Sequence, residues 1–151
     1  MRGRAGDFFW LCARLFVGFV FAYAGYSKLM EPIENFRGVL AEYRAIPYAA
    51  VPAIAAVLPW LELFSGGFLL AGFAMRPSAA AAALICLGFL VVLSASHIFY
   101  GSVPASCGCF GESGIHLTVL QVFFLDLTNL GLSLGLSLQK RHFLSLDALL
   151  H

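Results

Sequence analysis

Two cysteines separated by one glycine are the residues of this chain best placed to do chemistry. Cys107 and Cys109 lie in a short polar segment, 106–112, within an otherwise strongly apolar sequence. Glycines at positions 108 and 111 permit turns that other residues avoid, so the backbone can bring the two sulfurs together. Close sulfurs in such a turn can exchange electrons with a disulfide or bind a soft metal. A disulfide in so small a ring would depart from the preferred geometry and would therefore be readily reduced.

Ionisable residues within apolar runs form a second group of candidates, because charge in hydrocarbon is expensive. They fall on helical faces that carry small or polar residues. These faces join Arg14 with Gly18, Phe21, Gly25 and Lys28; Glu62 with Ala55 and Gly66; and Asp126 with Asn129, Ser133 and Ser137. Small residues let helices approach closely. We therefore expect the faces to pack inward, with Arg14 paired to Glu62 or Asp126.

Two interpretations of Glu62 and Asp126 stay open. Their ion pairs either only fix the register of the helices, or the carboxylates act as a proton relay or as part of a quinone headgroup site. In the second case Arg14, Lys28 and His97 are the candidate cofactor-binding residues, and Glu62 and Asp126 join Cys107 and Cys109 as candidate catalytic residues. For Lys28 the favoured expectation is that its ammonium group snorkels to the membrane interface.

The remaining thiols and imidazoles give weaker signals. Cys12 and Cys86 lie within apolar runs, where free cysteine commonly behaves as a small apolar residue. His97 and His116 flank the cysteine segment and could favour a thiolate or complete a metal site. A metal site normally needs more ligands than two close cysteines supply, and the segment has no methionine.

The amino-acid composition indicates that this protein is embedded in a lipid bilayer. Hydrophobic residues make up 61% of the 151 residues, charged residues 11%, and the mean hydropathy is +0.89. This length has room for about four spans of ~20 residues each. The apolar runs predict spans at about 8–29, 51–73, 77–99 and 117–138, and thus an all-α membrane four-helix bundle forming one domain, 1–151. Membrane lipid is then an expected partner, and a net charge of +1 gives no reason to expect nucleic acid.

The loop after the first span has the pattern of a short amphipathic helix. Its apolar residues recur at helical spacing after Pro32, at Ile33, Phe36, Val39, Leu40 and Tyr43. Charged and polar residues occupy the other face, which is typical of a helix lying in the membrane interface. Such a helix either covers the cysteine segment, forms part of a docking surface for a partner, or only connects two spans.

Basic residues predict the orientation in the membrane. They flank the first span, the turn between the second and third spans, and the end of the fourth span, at Arg2, Arg4, Arg76, Lys140 and Arg141. The cysteine segment has none. Arg37 and Arg44 count against this bias, but glutamates accompany them. The positive-inside rule therefore places both termini in the cytoplasm of a bacterial cell, with Cys107 and Cys109 on the periplasmic side of the inner membrane, where disulfides persist.

Several motifs together resemble a known family. They are the end of the first span, Phe21-Ala-Tyr-Ala-Gly-Tyr-Ser-Lys28-Leu29; Tyr43-Arg-Ala-Ile-Pro47; Leu58-Pro-Trp-Leu-Glu62-Leu63; and Cys107-Gly-Cys109-Phe-Gly111. The chain is similar over about 15–131 to the MauE branch of the MauE/DoxX membrane proteins. The resemblance implies a redox-associated membrane protein linked, in methylamine utilisation, with a thioredoxin-like partner and with disulfide formation in a periplasmic dehydrogenase subunit.

Three functional hypotheses follow. The leading one is a membrane thiol–disulfide redox protein in which Cys107 and Cys109 exchange electrons with a periplasmic thioredoxin-like partner or with quinone. The second is a non-catalytic membrane anchor or assembly factor for a thioredoxin-like enzyme. The third is a soft-metal protein that binds or transports copper or zinc, with a histidine completing the site.

Overall fold

The part of the chain that the structure describes, residues 4–101 and 118–138 of a computed structural model, is built from helices. The helices are α1 (Arg4–Met30), α2 (Ile33–Glu42), α3 (Val51–Ala71), α4 (Met75–Tyr100) and α5 (Val119–Leu138). A 3-10 turn, Tyr48–Ala50, leads into α3. These residues contain no β-strand, and α1, α3, α4 and α5 are long and apolar enough to cross a membrane. The all-α membrane bundle with its extra short helix is confirmed, and the spans agree with the predicted ones to within a few residues.

Glycine residues in the left-handed conformation end two of the spans. Gly72 follows α3 with φ of 72° and Gly101 follows α4 with φ of 60°, values that residues with a Cβ rarely adopt. The turn from α3 into α4 is only three residues long, and its Ala74 also has a positive φ, of 47°. So short a turn makes α3 and α4 antiparallel neighbours. We call the end of the bundle with Met30, Val51, Tyr100 and Val119 the loop end, and the opposite end the terminal end.

Helices α1 and α3 pack most closely, and glycine permits their approach. A Cβ on Gly25 would lie 2.5 Å from the amide nitrogen of Leu63 and 2.6 Å from the carbonyl oxygen of Pro59. A Cβ on Gly66 would overlap the backbone of Ala22. The helices run antiparallel with their backbones nearly touching, which is the packing that small residues favour in membranes. The predicted inward face of α1 is confirmed, because Arg14, Gly18, Phe21, Gly25 and Lys28 are all buried.

The second close pair is α4 with α5, and apolar side chains from all four spans fill the space towards the terminal end. This core consists of Val17, Phe21, Leu69, Met75, Ala79, Ala82, Cys86 and Leu136. Trp10 of α1 lies against Gly135 of α5, so the first and last spans also meet. The core therefore joins the two helix pairs into one bundle.

The short helix α2 covers the loop end of the bundle with the face that its periodicity predicts. Phe36 and Leu40 pack on Val51 and Ala55 of α3. Val39 and Tyr43 form a second cluster with Leu93 of α4. Ile33, which was expected on the same face, is 41% exposed at the start of the helix. Through these contacts α2 joins the loop ends of α3 and α4.

Candidate functional site

A buried ion pair between α1 and α3 is the chemically most distinctive contact of the bundle. The Lys28 Nζ donates hydrogen bonds to Glu62 Oε1 at 2.8 Å and to Oε2 at 2.6 Å. Both residues are almost fully buried, with exposed fractions of 4% and 3%. The ammonium group also lies over the rings of Phe36 and Phe89, 5.1 and 5.7 Å from their centroids. Two aromatic faces and a two-oxygen contact compensate the cation for lost hydration.

The expectation that Lys28 snorkels to the interface is wrong, and the reason lies in neighbouring elements. Helix α1 ends at Met30, whereas α3 continues outward from Glu62 to Val51, about 16 Å at 1.5 Å per residue. Phe36 of α2 packs beside this extension and over the ammonium group. Because α2 covers the end of α1, the lysine is directed inward.

The expected pairing of Arg14 with Glu62 is also wrong, because Glu62 pairs with Lys28. Arg14 precedes Lys28 by fourteen residues on α1, about 21 Å along the helix axis, so its side chain is at a different depth from Glu62. Asp126 lines the same cavity as Glu62, and its pairing with Arg14 stays a prediction. Arg14 is nevertheless buried, at 6% exposure, on the predicted face of α1. It belongs to the terminal half of the bundle and not to this site.

Glu62 and Asp126 both face the interior of the bundle, as predicted, and the structure shows that they line one cavity. The cavity has a volume of about 30 Å³, room for a water molecule, and lies where α1, α3, α4 and α5 meet. Its polar lining is Glu62, Cys86, Asp126 and Asn129, and its apolar walls include Phe89 and Ile85. Two carboxyl groups share this region with the single ammonium group of Lys28. We call Lys28, Glu62 and Asp126 the charged cluster. Its charges balance only when it also holds a proton or another cation.

Several polar atoms at or next to this cavity have no hydrogen-bond partner in the described part of the chain. They include both side-chain atoms of Asn129, which is 1% exposed, and Oδ2 of Asp126. The hydroxyl groups of Ser96 and Ser133, which do not line the cavity, also lack a hydrogen-bond partner among these residues. A buried polar atom without a partner costs free energy. Asn129 thus offers a donor and an acceptor that are ready to bind a small polar group.

An apolar groove adjoins the cavity on the side of α2, α3 and α4. Its volume is about 320 Å³, and its lining includes Leu40, Ile46, Leu58, Leu84, Gly88 and Val92. Ile85 and Phe89 line both the groove and the polar cavity. The charged cluster is therefore separated from the groove by two side chains.

His97 lies apart from this site. It is exposed near the end of α4 and lines a different groove of about 430 Å³, together with Leu93 of α4 and Val119 and Phe123 of α5. Cys12 is exposed on α1 and Cys86 is buried. Cys107, Cys109, Glu112 and His116 lie outside the described residues.

The structure adds residues that sequence patterns did not assign to the site. Cys86, interpreted as a packing residue, lines the polar cavity, and Phe36 and Phe89 contact Lys28. Asn129 carried a signal, because it shares the helical face of Asp126. Phe89 carried none, since one phenylalanine in an apolar run looks like any other. Among the described residues no group of three or more metal-binding side chains comes together.

Fold and site together define an integral membrane four-helix bundle with a charged cluster in its interior. The family described as methylamine utilisation protein MauE matches residues 6–138, and the chain belongs to this family. The resemblance seen in the sequence motifs is thereby confirmed.

Two curated relatives carry the same family name. The chain is 33% identical over 128 residues to methylamine utilization protein MauE of Paracoccus denitrificans, a match covering 82% of this chain and 67% of the relative. It is 36% identical over 98 residues to methylamine utilization protein MauE of Methylophilus methylotrophus, covering 64% of this chain and 50% of the relative. No solved structure matches the chain significantly.

Proposed function

We propose that this chain is a membrane redox protein of methylamine utilisation that supports disulfide formation in a periplasmic protein. Cys107 and Cys109 exchange electrons with a periplasmic thioredoxin-like partner or with quinone. The observation that carries the proposal is the Cys107-Gly108-Cys109 motif in the segment between α4 and α5. Family membership supports it, because both relatives are named for methylamine utilisation.

The proposed chemistry consists of two successive two-electron transfers. The first passes electrons from the partner's dithiol to the Cys107–Cys109 disulfide, and the second passes them on to an acceptor. A thiolate of the partner attacks one sulfur of the Cys107–Cys109 disulfide, and the other cysteine leaves as a thiolate, which takes up a proton from water. The second thiolate of the partner then attacks the partner's own sulfur in the mixed disulfide and breaks that bond. The partner now holds a disulfide, and Cys107 and Cys109 are left as a dithiol. Transfer of two electrons and two protons to an acceptor restores the cysteine disulfide.

The ends of α4 and α5 that flank the cysteine segment support this chemistry. The segment carrying it leaves α4 after Tyr100 and enters α5 at Val119, both at the loop end. In the orientation that the basic residues predict, this end is periplasmic, where a thioredoxin-like partner and protein disulfides are found. Helix α2, with exposed Glu34, Arg37 and Glu42, lies at the same end and offers such a partner a polar surface.

That polar surface also favours a second function, in which the chain only anchors a thioredoxin-like enzyme. The two functions differ in whether the thiols are needed. In Cys107→Ser or Cys109→Ser alone, the remaining thiolate can still attack the disulfide of an oxidised partner. We expect the resulting mixed disulfide to accumulate, because the neighbouring cysteine of this chain that would resolve it is missing. Non-reducing gel electrophoresis of membranes, with mass spectrometry of the shifted band, measures the trapped species.

The double variant Cys107→Ser/Cys109→Ser provides the decisive comparison. It should accumulate in membranes like the wild type but fail to support disulfide formation in cells. Cys12→Ser is the matched control, since Cys12 is an exposed cysteine on α1 and should leave function unchanged. Full activity of the double variant would disprove the redox role and establish anchoring.

A further inference from the structure

The apolar groove beside the charged cluster has the dimensions and position of a ligand site open to the bilayer. Its volume of about 320 Å³ falls in the range of small-molecule pockets. Leu84 and Gly88 on its rim are exposed on the surface that faces lipid. Leu40 and Ile46 close it towards the loop end. A ligand of this groove would therefore arrive through the membrane.

The inner wall of the groove is thin, and polar groups lie directly behind it. Phe89 and Ile85 form this wall and line the polar cavity with their other sides. The Phe89 ring lies over the Lys28 ammonium group, at 5.7 Å. A rotation of the Phe89 side chain would connect the groove with the cavity.

The cavity is equipped to bind a small polar group. Asn129 is 1% exposed and neither atom of its amide has a hydrogen-bond partner within the described residues, although it lines the cavity. Asp126 also lines the cavity, and one of its carboxyl oxygens has no partner among these residues. The Lys28 ammonium group is bound to Glu62, which lines the cavity as well. The volume of about 30 Å³ admits one oxygen atom but not a ring.

Together these features specify a ligand with an apolar body and a carbonyl oxygen at its edge. A phospholipid does not fit, since its ionic headgroup belongs at the membrane surface. A quinone fits, because its ring matches the groove while one carbonyl oxygen can accept a hydrogen bond from the unpartnered amide of Asn129. Its reduction takes up protons, and the carboxyl groups that line the cavity are placed to relay them.

We propose that this groove binds a membrane-dissolved quinone, with the ring against Phe89 and one carbonyl oxygen directed into the cavity lined by Glu62, Asp126 and Asn129. The role of the quinone as an electron acceptor rests on the proposed function. Two electrons and two protons from the dithiol of Cys107 and Cys109 convert it to the quinol, and an S–S bond forms as two S–H bonds are lost. Binding itself does not require the cysteines.

Photolabelling of the purified full-length protein in nanodiscs tests the site. The probe is a quinone with an aryl azide and a decyl tail, and the labelled residues are mapped by mass spectrometry. We expect label on the 84–92 stretch of α4, removed by excess decylubiquinone. Labelling should persist in the Cys107→Ser/Cys109→Ser variant, so that this test does not depend on thiol exchange.

A matched pair of glycine variants checks the location. Gly88 lines the groove and a Cβ there meets nothing within 4 Å, so Gly88→Leu fills the groove without disturbing helix packing. Gly67→Leu on α3 is the control, because Gly67 is equally exposed and open but lies outside the groove. Label should fall about tenfold or more in Gly88→Leu, equivalent to about 1.4 kcal/mol of binding free energy. It should stay unchanged in Gly67→Leu.

Asn129→Leu checks the headgroup contact with little risk to folding, because it removes buried polar atoms that lack partners. We expect several-fold weaker labelling and unimpaired stability. Unchanged labelling in Asn129→Leu or Gly88→Leu would overturn the site. Equal competition by didecanoylphosphatidylcholine would overturn it too, by identifying an acyl-chain groove. In either case trapping of the partner by single cysteine variants would still support the redox function.

Discussion

At the scale of single residues, the Lys28–Glu62 pair shows how a membrane bundle holds charge in its interior. Lys28 donates to both carboxylate oxygens of Glu62 while Phe36 and Phe89 cover it. The pair ties the end of α1 to the middle of α3. Removing either partner would leave an isolated charge in a region without water.

The first prediction concerns this pair. Lys28→Met should destabilise the protein by about 3–5 kcal/mol, because Glu62 would remain as a buried charge without its partner. Lys28→Met/Glu62→Gln should recover most of the loss, since both charges are gone. Thermal unfolding of the purified protein in detergent, followed by size-exclusion chromatography, measures the difference.

Arg37→Met is the control for loss of one cation, since Arg37 is exposed on α2. It should unfold like the wild type. Equal stability of Lys28→Met and the wild type would contradict a structural role for the pair.

At the scale of elements, the close contact of α1 with α3 determines where the charged side chains meet. Gly18, Gly25 and Gly66 let the two backbones touch, and this contact sets the axial alignment that brings Lys28 to Glu62. Helix α2 completes the arrangement by covering the ammonium group. The ion pair is therefore a consequence of glycine packing and of the position of α2.

The second prediction compares two adjacent glycines of α3. Gly66→Ala should destabilise the bundle by about 1–3 kcal/mol, because the added methyl group meets the backbone of Ala22, which cannot move alone. Gly67→Ala should be neutral or stabilising by about 0.4–1 kcal/mol, because its Cβ enters open space and alanine favours the helix.

Equilibrium unfolding in mixed micelles, monitored by far-ultraviolet circular dichroism, compares the two variants under identical conditions. If Gly66→Ala is as stable as Gly67→Ala, the close contact of α1 with α3 is incorrect.

At the scale of the whole molecule, the orientation in the membrane determines which compartment the cysteine pair meets. Arg76 lies at the terminal end of the bundle, next to the turn between α3 and α4. The segment between α4 and α5 contains neither lysine nor arginine. The distribution predicts a cytoplasmic terminal end and a periplasmic loop end.

The third prediction tests this orientation. A membrane-impermeant maleimide added to reduced intact spheroplasts should modify Cys107 or Cys109. It should spare Cys12, which faces lipid on α1, and Cys86, which is buried. The mass shift of the purified protein measures the modification.

A cysteine introduced by Arg76→Cys in the Cys107→Ser/Cys109→Ser background gives the opposite control. This exposed position at the terminal end should react only after the membrane is opened. If Arg76→Cys reacts in intact spheroplasts while Cys107 and Cys109 of the wild type do not, the orientation is opposite to the predicted one.

Sequence periodicity alone determined the four spans, the short helix α2 and the faces that pack inward. Gly18, Gly25, Glu62 and Asn129 are all buried on the faces where the helical repeat put them. The physical reason is local, because a helix of known pitch in an apolar solvent turns its small and polar residues towards other helices.

Only the tertiary structure decided which of these residues meet. Periodicity gives the rotation of a helix but not its depth relative to a neighbour. It therefore favoured Arg14 as the partner of Glu62, whereas the contact of α1 with α3 sets the axial alignment that brings Lys28 there. The same limit applies to Cys86 and Phe89, whose places beside the polar cavity depend on how α4 packs against three other spans. The burial of Lys28 required α2 to fold back over the end of α1, a long-range contact that no local repeat encodes.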